Sequence, residues 1–376
     1  MPFEAPPSTT VVFYLDATDP MGEVKRADDL WSSPGLSTQK LHLILGHLYL
    51  LPWFTRQCFC HELPLRPFLD ANPDLELGGL PVASKLSRYG TEPPYLPSLR
   101  VGPDTDRAAI DAFAERHGTP LVLKPLFGSR SRGVRKVHTT DPVVAAAGQE
   151  AMILQPYVEA PQEYGINVAR VGDRITIYGL TEITLRSVWG DGERTLAALA
   201  RATYGEDGAE GLERGEWTPP DGCRVPLQTA ADVGGGSSFR DITDQVTPAL
   251  RAACQDAADQ IGLRFGRFDV KAESLEALQN GSFYVLEANG SPSLDLTLYD
   301  DRHSLSIKIE RLRAHWEQFF QQARPCCSSA PNTWWLLSSL LWFAIDPERC
   351  AASLCDEVDH RELASGAEAE RRAPGG

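Results

Sequence analysis

Two short segments late in the chain carry charged and oxygen-bearing side chains on an alternating pattern. In GRFDVKA, Arg267, Asp269 and Lys271 alternate with Phe268 and Val270. A strand turns successive side chains to opposite faces, so the three charged groups share one face and the apolar pair the other. In YVLEAN, Glu287 and Asn289 share a face, while Leu286 and Ala288 are expected to point into the core. If the two strands pair, Asp269, Glu287 and Asn289 form a cluster of oxygen donors with Arg267 beside it. Such ligands suit Mg²⁺, which keeps several waters and takes further oxygens from substrate phosphates. A solvated sheet face or a structural salt bridge is the competing reading. Against it, these polar residues interrupt strongly apolar runs, and Gly290, Ser291 and Pro292 follow in place of an ordinary turn.

A second constellation begins at Lys124. LVLKPLFGSRSRGV reads as an apolar strand, a lysine and a loop containing Gly128, Ser129, Ser131 and Gly133. Backbone N–H groups of such a loop can approach a polyphosphate closely, and the lysine adds a point charge. No G-K-[S/T] follows, so it is not a Walker loop. An ordinary basic surface hairpin fits the same residues as well. Arg130, Arg132, Arg135 and Lys136 crowd this loop, either attracting an anionic substrate or forming a solvated lid surface. Cys58, Cys60 and His61 form a C-x-C-H cluster that could hold a soft metal, but no second ligand pair stands at a suitable spacing.

Periodicity and caps supply the elements that would position these groups. Val11–Ala17 reads as an opening strand, and residues 20–80 as loop-rich apart from an apolar stretch, Leu41–Phe54, expected to be a buried core helix. Asp104 or Thr105 can cap a helix that ends at His117, before Gly118. Leu121–Pro125 and Met152–Tyr157 read as strands, and Glu163–Val171 and Arg174–Ile183 as a hairpin turning at Gly172–Asp173. A helix is expected over Thr195–Ala202, a long Gly/Pro/Asp-rich loop over 205–237, and an amphipathic helix over Pro248–Ile261. Leu263–Ala272 and Phe283–Ala288 read as strands joined by a turn, and His303–Ala323 as a terminal helix. There is no internal repeat. Trp334–Ile345 is apolar but short, a packing or frayed helix in a tail of changed composition.

Composition bounds the function. With 376 residues the chain has ample length for a sizeable core, and 42% hydrophobic with 23% charged residues is ordinary globular usage. A net charge of −15 argues against a chain that lives on nucleic acid or on anionic membrane, both of which need a basic footprint. Neither apolar stretch approaches the roughly 20 residues of a spanning helix. The polar, Pro-rich opening residues do not read as a secretory signal, so a cytoplasmic location with reduced thiols is expected.

Together these motifs resemble the ATP-grasp superfamily of carboxylate–amine ligases, over roughly Lys85–Ala323. SKLSRYGTEPPYLPS resembles the segment before the nucleotide site, with Lys85 as first phosphate lysine. KPLFGSRSRGV resembles the second lysine and the phosphate loop of cyanophycin synthetase. MILQPYVEAPQEYGINV resembles the adenine hinge, placing Gln155, Tyr157 and Val158 near the base and Glu163 on the ribose hydroxyls. VWGDGERTLAAL and GGGSSFRDITDQVTP resemble elements of cyanophycin synthetase and of the glutathione-forming ATP-grasp ligases. GRFDV and LEANGSPS resemble the metal strands of D-alanine–D-alanine ligase, although Ser293 stands where that family has glycine.

The resemblance implies an α+β fold in which two α+β subdomains hold ATP between them. It implies an ATP-grasp domain over 85–325, a small α/β domain over 1–84 and a tail over 326–376. Mg²⁺ (one ion or two, with Mn²⁺ able to substitute) would sit on Asp269, Glu287 and Asn289, with Lys85 and Lys124 on the α- and β-phosphates. Arg267 would stabilise the transferring phosphoryl group. Arg186 and Arg240 could clamp a substrate carboxylate, and Ser291 and Ser293 lie near the acceptor. Trp189 and Trp217 read as packing residues. The implied partners are a small carboxylic acid and an amine, such as amino acids or peptides, with homo-oligomerisation left open. Two other readings stand beside the ligase: a non-catalytic ATP-binding regulator, and a phosphotransferase.

Overall fold

The computed structural model describes residues 38–60, 66–80, 83–127, 133–149, 151–209, 212, 214–227, 237–291 and 293–323. Val11–Ala17, Gly128, Ser129, Arg130, Ser131, Arg132, His61, Pro292 and Trp334–Ile345 lie outside them, as do the side chains of Cys58 and Cys60. The elements, in order, are α1 (Thr38–Cys60), α2 (Arg66–Asp70), β1 (Leu99–Val101), α3 (Arg107–His117), β2 (Leu121–Pro125), β3 (Arg135–Val137), α4 (Asp141–Ala147) and β4 (Met152–Pro156). There follow β5 (Gln162–Val171), β6 (Arg174–Thr184), β7 (Ser187–Trp189), α5 (Leu196–Tyr204), β8 (Arg224–Pro226), β9 (Ser238–Asp241), α6 (Pro248–Ile261), β10 (Phe265–Ala272), α7 (Leu275–Gln279), β11 (Tyr284–Asn289) and α8 (Leu305–Gln322).

The fold is α+β, with all strand ladders antiparallel in two main sheets and a ribbon. A four-stranded sheet runs β1-β4-β2-β3, a five-stranded sheet β11-β10-β5-β6-β9, and β7 pairs β8 alone. The small sheet packs its apolar residues, Leu121, Leu123 and Leu154 among them, against Ile110 of α3 and Val143 of α4. The large sheet packs one face against α6 through Ile166, Phe268, Leu250 and Ala257. Its other side meets α8 and α1 around Phe265, Trp316 and Phe319.

Local chemistry explains the boundaries. Thr247 accepts from the Leu250 N–H and Pro248 occupies the first helical turn, so α6 starts where its sequence allows; Gly262 ends it in a left-handed conformation at φ 67°. The β5–β6 hairpin turns at Gly172, φ 62°, as the Gly-Asp pair predicts. Asp106, rather than Asp104 or Thr105, caps α3, because its carboxylate reaches the Ala108 N–H while the Thr105 hydroxyl is taken by Gly102 N–H.

Three expectations need correction. Residues 205–237 are not all loop: β8 lies there and pairs with β7, closing a small apolar cluster with α5. The connection before β11 is no simple turn, since Ser274 caps the short helix α7. The helix over Leu41–Phe54 exists, but it is not a buried core helix. Leu50 and Trp53 pack inward, whereas Leu41, Ile44, Leu45, Leu48, Tyr49 and Leu51 are exposed.

Candidate active site

Pairing of β10 with β11 brings Arg267 opposite Asn289 and Asp269 opposite Glu287. The four groups expected to share a face therefore do so. Arg267 donates to both Asp269 oxygens, from Nε at 2.6 Å and Nη2 at 3.0 Å. A third donation, from Nη1 to the Leu294 carbonyl at 3.1 Å, fixes the guanidinium plane. Asn289 Nδ2 donates to Asp269 Oδ2 at 2.8 Å, which leaves its Oδ1 as the atom available to a cation. Gly290 ends the strand under backbone: a Cβ there would meet the Gly78 carbonyl oxygen at 2.5 Å, and Ser291 N–H donates to that same oxygen.

Leu286 departs from the expected period of two. The ladder runs Asp269↔Glu287 and then Val270↔Val285, so Leu286 is an extra residue on β11. Such a bulge places two consecutive residues on one side and frees backbone groups from the ladder. Val285 and Ala288 stay in the core, while Leu286 packs beside Leu96, Val158 and Ala160 instead of entering it. Its freed carbonyl accepts the Tyr89 hydroxyl at 3.2 Å and the Lys124 ammonium at 3.1 Å.

That last bond joins the two sheets. On the small sheet Lys136 and Gln155 both register against Val122, two residues from Lys124, so Lys124, Lys136 and Gln155 face the same way. Lys124 sits in a buried setting that lowers its pKa to about 8, with Glu287 pulling in the opposite sense. Lys85, on the 3-10 turn Lys85–Arg88, is 5% exposed, and burial lowers it too. Burial acts to raise the Glu287 carboxyl, but Arg88, Lys85, Lys124 and Arg267 together outweigh it and hold the group below its usual range.

Arg88 belongs to the same charge cluster, and the sequence reading missed it. It is 3% exposed, with Nη2 3.8 Å from Glu287 Oε1. Its spacing of three from Lys85 on a capped turn was the available signal, because such a turn projects both side chains to one side.

Lys271, Glu163, Val158 and Tyr157 meet beside this cluster. Lys271 Nζ lies 3.6 Å from Glu163 Oε1 and 3.4 Å from the Val158 carbonyl. Burial raises the Glu163 carboxyl, and Lys271 offsets this. The Tyr157 ring has Lys136 Nζ at 4.3 Å and Lys271 Nζ at 5.6 Å from its centroid. Gln155 is fully buried: its Nε2 donates to Ser98, and its Oε1 has no hydrogen-bond donor among the described residues. Gly133, at φ 69°, backs onto Pro125 at the end of the loop whose Gly128, Ser129 and Ser131 lie outside the described residues.

Other expected site residues lie elsewhere. Arg186 stacks on the Tyr204 ring at 4.6 Å and donates to the Gly208 carbonyl, both within the β7–β8–α5 unit. Arg240 pairs with Glu182 on β6, Nη2 to Oε2 at 2.6 Å. Ser291 is fully buried and accepts from Asn72 Nδ2, whereas Ser293 donates to the Asn289 carbonyl. Of the two tryptophans expected to pack, Trp217 does so against the small cluster, but Trp189 is exposed.

The donor set fits a divalent cation held jointly with phosphates. Among the described residues no group of three or more His, Cys, Asp and Glu side chains could hold a metal by itself. Asp269, Glu287 and the Asn289 amide oxygen offer two carboxylates and one neutral oxygen, the partial shell Mg²⁺ takes when substrate phosphates complete it.

No protein-family model matches the chain, and no curated protein matches it. Solved structures do resemble parts of it. A bifunctional glutathione synthetase from Pasteurella multocida is 16% identical, over 61% of this chain and 34% of that one, with a TM-score of 0.32. The ATP-grasp ligase PsnB complexed with a minimal precursor is 16% identical over 60% and 55% of the two chains, with a TM-score of 0.35. VanG D-Ala:D-Ser ligase from Enterococcus faecalis is 15% identical over 68% and 64%, with a TM-score of 0.34. The matched stretch thus spans between about a third and just under two thirds of those chains' own lengths.

Proposed function

We propose that this chain is an ATP-dependent carboxylate–amine ligase of the ATP-grasp type. The observation that carries the reading is the meeting of Arg267, Asp269, Glu287 and Asn289 with Lys85 and Lys124 across the gap between the two sheets. Lys124 from the small sheet and Lys85 from the turn Lys85–Arg88 face carboxylates of the large sheet, which is the charge pattern a metal-bound polyphosphate fills. In this reading the ATP-grasp domain covers 85–325, preceded by a domain over 1–84 and followed by the tail.

The adenine lies near Gln155, Tyr157 and Val158, beside the packed cluster of Leu96, Ala160 and Leu286, and Glu163 faces the ribose hydroxyls. Lys85 and Lys124 neutralise α- and β-phosphate oxygens. A Mg²⁺ ion on Asp269, Glu287 and Asn289 Oδ1 would neutralise charge on the β- and γ-phosphates. The substrate carboxylate attacks the γ-phosphorus, ADP leaves, and an acyl phosphate forms. An amine then attacks the acyl carbon, phosphate departs, and the amine proton goes to solvent or a nearby base. Arg267, held planar by Asp269 and the Leu294 carbonyl, is aimed to stabilise the transferring phosphoryl group and then the oxyanion. Arg186, Arg240 and Ser291 are each engaged within the protein, so this reading assigns none of them as the carboxylate clamp.

The test measures ADP release over a panel of amino acids and short peptides, with and without a second amine, alongside mass spectrometry for new amides. ADP and amide appearing together support ligation. ADP without amide would assign a phosphotransferase, and tight ATP binding without either product a regulatory binder.

A further inference from the structure

Helix α1 is apolar on two opposite faces. One face, with Leu43, Leu50, Trp53 and Phe54, packs on α8. The other carries Leu41, Ile44, Leu45, Leu48 and Tyr49, spaced i, i+3, i+4, i+7 and i+8, with Leu51 at its margin. That is the stripe of a helix with a packing partner, and a helix apolar all round belongs in an interior. Among the described residues nothing covers it. Leu48 is 60% exposed and Tyr49 72%, and half of the twelve large exposed hydrophobics of the described residues lie on this one helix. Nor is α1 long and apolar enough to cross a membrane.

We infer that this face is the docking site for the chain's own segment Trp334–Ile345. Three observations favour that occupant. First, α8 runs parallel to α1: Gly46 meets Leu312, His47 meets Trp316, and Trp53 and Phe54 meet Phe320. The chain therefore leaves α8 at buried Ala323, beside the C-terminal half of α1. Second, the reach is sufficient. Ala323 to Trp334 is eleven residues, up to about 36 Å extended, while the stripe from Leu41 to Leu51 is about 15 Å long. Third, the chemistry matches. Trp334–Ile345 carries no charge, and all its residues except Ser338 and Ser339 are apolar. The only comparable run in residues 1–37 is Val11–Leu15, which is less than half as long.

A photo-reactive benzoylphenylalanine replacing Tyr49 in the full-length protein tests this, with the same group at Val171, on the β5–β6 turn, as control. Irradiation should give an intramolecular cross-link from position 49 to a peptide within Trp334–Ile345, and none from position 171. The cross-link should be lost on adding Leu337→Asp and Leu341→Asp, with far-ultraviolet circular dichroism unchanged and binding of an apolar dye increased. Cross-links to residues 1–37, a cross-linked dimer that grows with concentration, or no cross-link to the segment would each overturn the proposal. Equal dye binding by the parent chain and the double Asp variant would overturn it independently of the cross-linking.

Discussion

The Lys124 ammonium donates to the Leu286 carbonyl across the gap between the two sheets, at 3.1 Å. A backbone oxygen is a weak substitute for phosphate, so the contact holds the lysine in place without satisfying its charge. Burial lowers this ammonium to about 8. The charged form, which attracts phosphate in the proposed reading, is present below that pH and is lost above it. Nucleotide affinity should therefore fall as pH rises through 8, with proton uptake on binding, read by titration calorimetry in buffers of differing ionisation enthalpy. Lys124→Met should weaken binding about ten- to a hundredfold and remove that pH dependence. An affinity flat from pH 7 to 9 in the parent protein would contradict the assignment.

Arg267 is anchored at three points, two on Asp269 and one on the Leu294 carbonyl. Its plane is preset, so in the proposed mechanism it would act on charge that develops during reaction more than on ground-state binding. Arg267→Ala should lower turnover about a hundred- to a thousandfold, with nucleotide affinity little changed. Coupled ADP-release kinetics and equilibrium dialysis separate the two; near-normal turnover would remove Arg267 from the mechanism.

Glu287 owes its lowered pKa to cations, with Arg88 first among them after the opposing effect of burial. A carboxyl lowered in the folded state adds stability above its unfolded pKa, and that stability is lost as pH falls through the folded one. Arg88→Leu should raise the Glu287 pKa and cost about 2 kcal/mol near neutrality in urea unfolding. That is less than the 3–5 kcal/mol of a wholly buried pair, because Glu287 is partly exposed. The loss should shrink in the Arg88→Leu/Glu287→Leu double variant.

His315, buried between Tyr178 and Trp316, is lowered to about 3 by burial, with His47 and Arg267 adding to it. Between that value and the ordinary histidine range the unfolded chain binds the proton and the folded one does not. Stability should thus rise with pH from about 3 to 6.5, by up to about 1.4 kcal/mol per pH unit. His315→Phe should flatten that slope in denaturant titrations at pH 4.5 and 6.5. An unchanged slope would show that other groups set the acid sensitivity.

Much of this was legible in the sequence where the signal is local. Thr247, Pro248 and Gly262 bound one helix, Gly172 marks one hairpin, and the alternation of Arg267, Asp269 and Lys271 places three charges on one face. What stayed hidden depends on partners distant in sequence. Residues 224–226 look like loop until they meet Ser187–Trp189. Arg88 looks like a surface arginine until Glu287 arrives from two hundred residues away. Leu286 looks like a core residue because period-two counting cannot see an unpaired residue. The apolar run of α1 announced a helix correctly, but hydrophobicity does not say which face the described residues fill.

The bulge on β11 has a consequence for how such a site can vary. Without Leu286, the strand would still register Val285 against Val270 and Glu287 against Asp269. The added residue is therefore separable from the carboxylate that follows it. Its side chain can be exchanged to repack the cluster of Leu96, Val158 and Ala160 while Val285 and Ala288 keep the core intact and Glu287 keeps its place. One strand thus allows the neighbouring apolar packing to drift while its charged residues hold still.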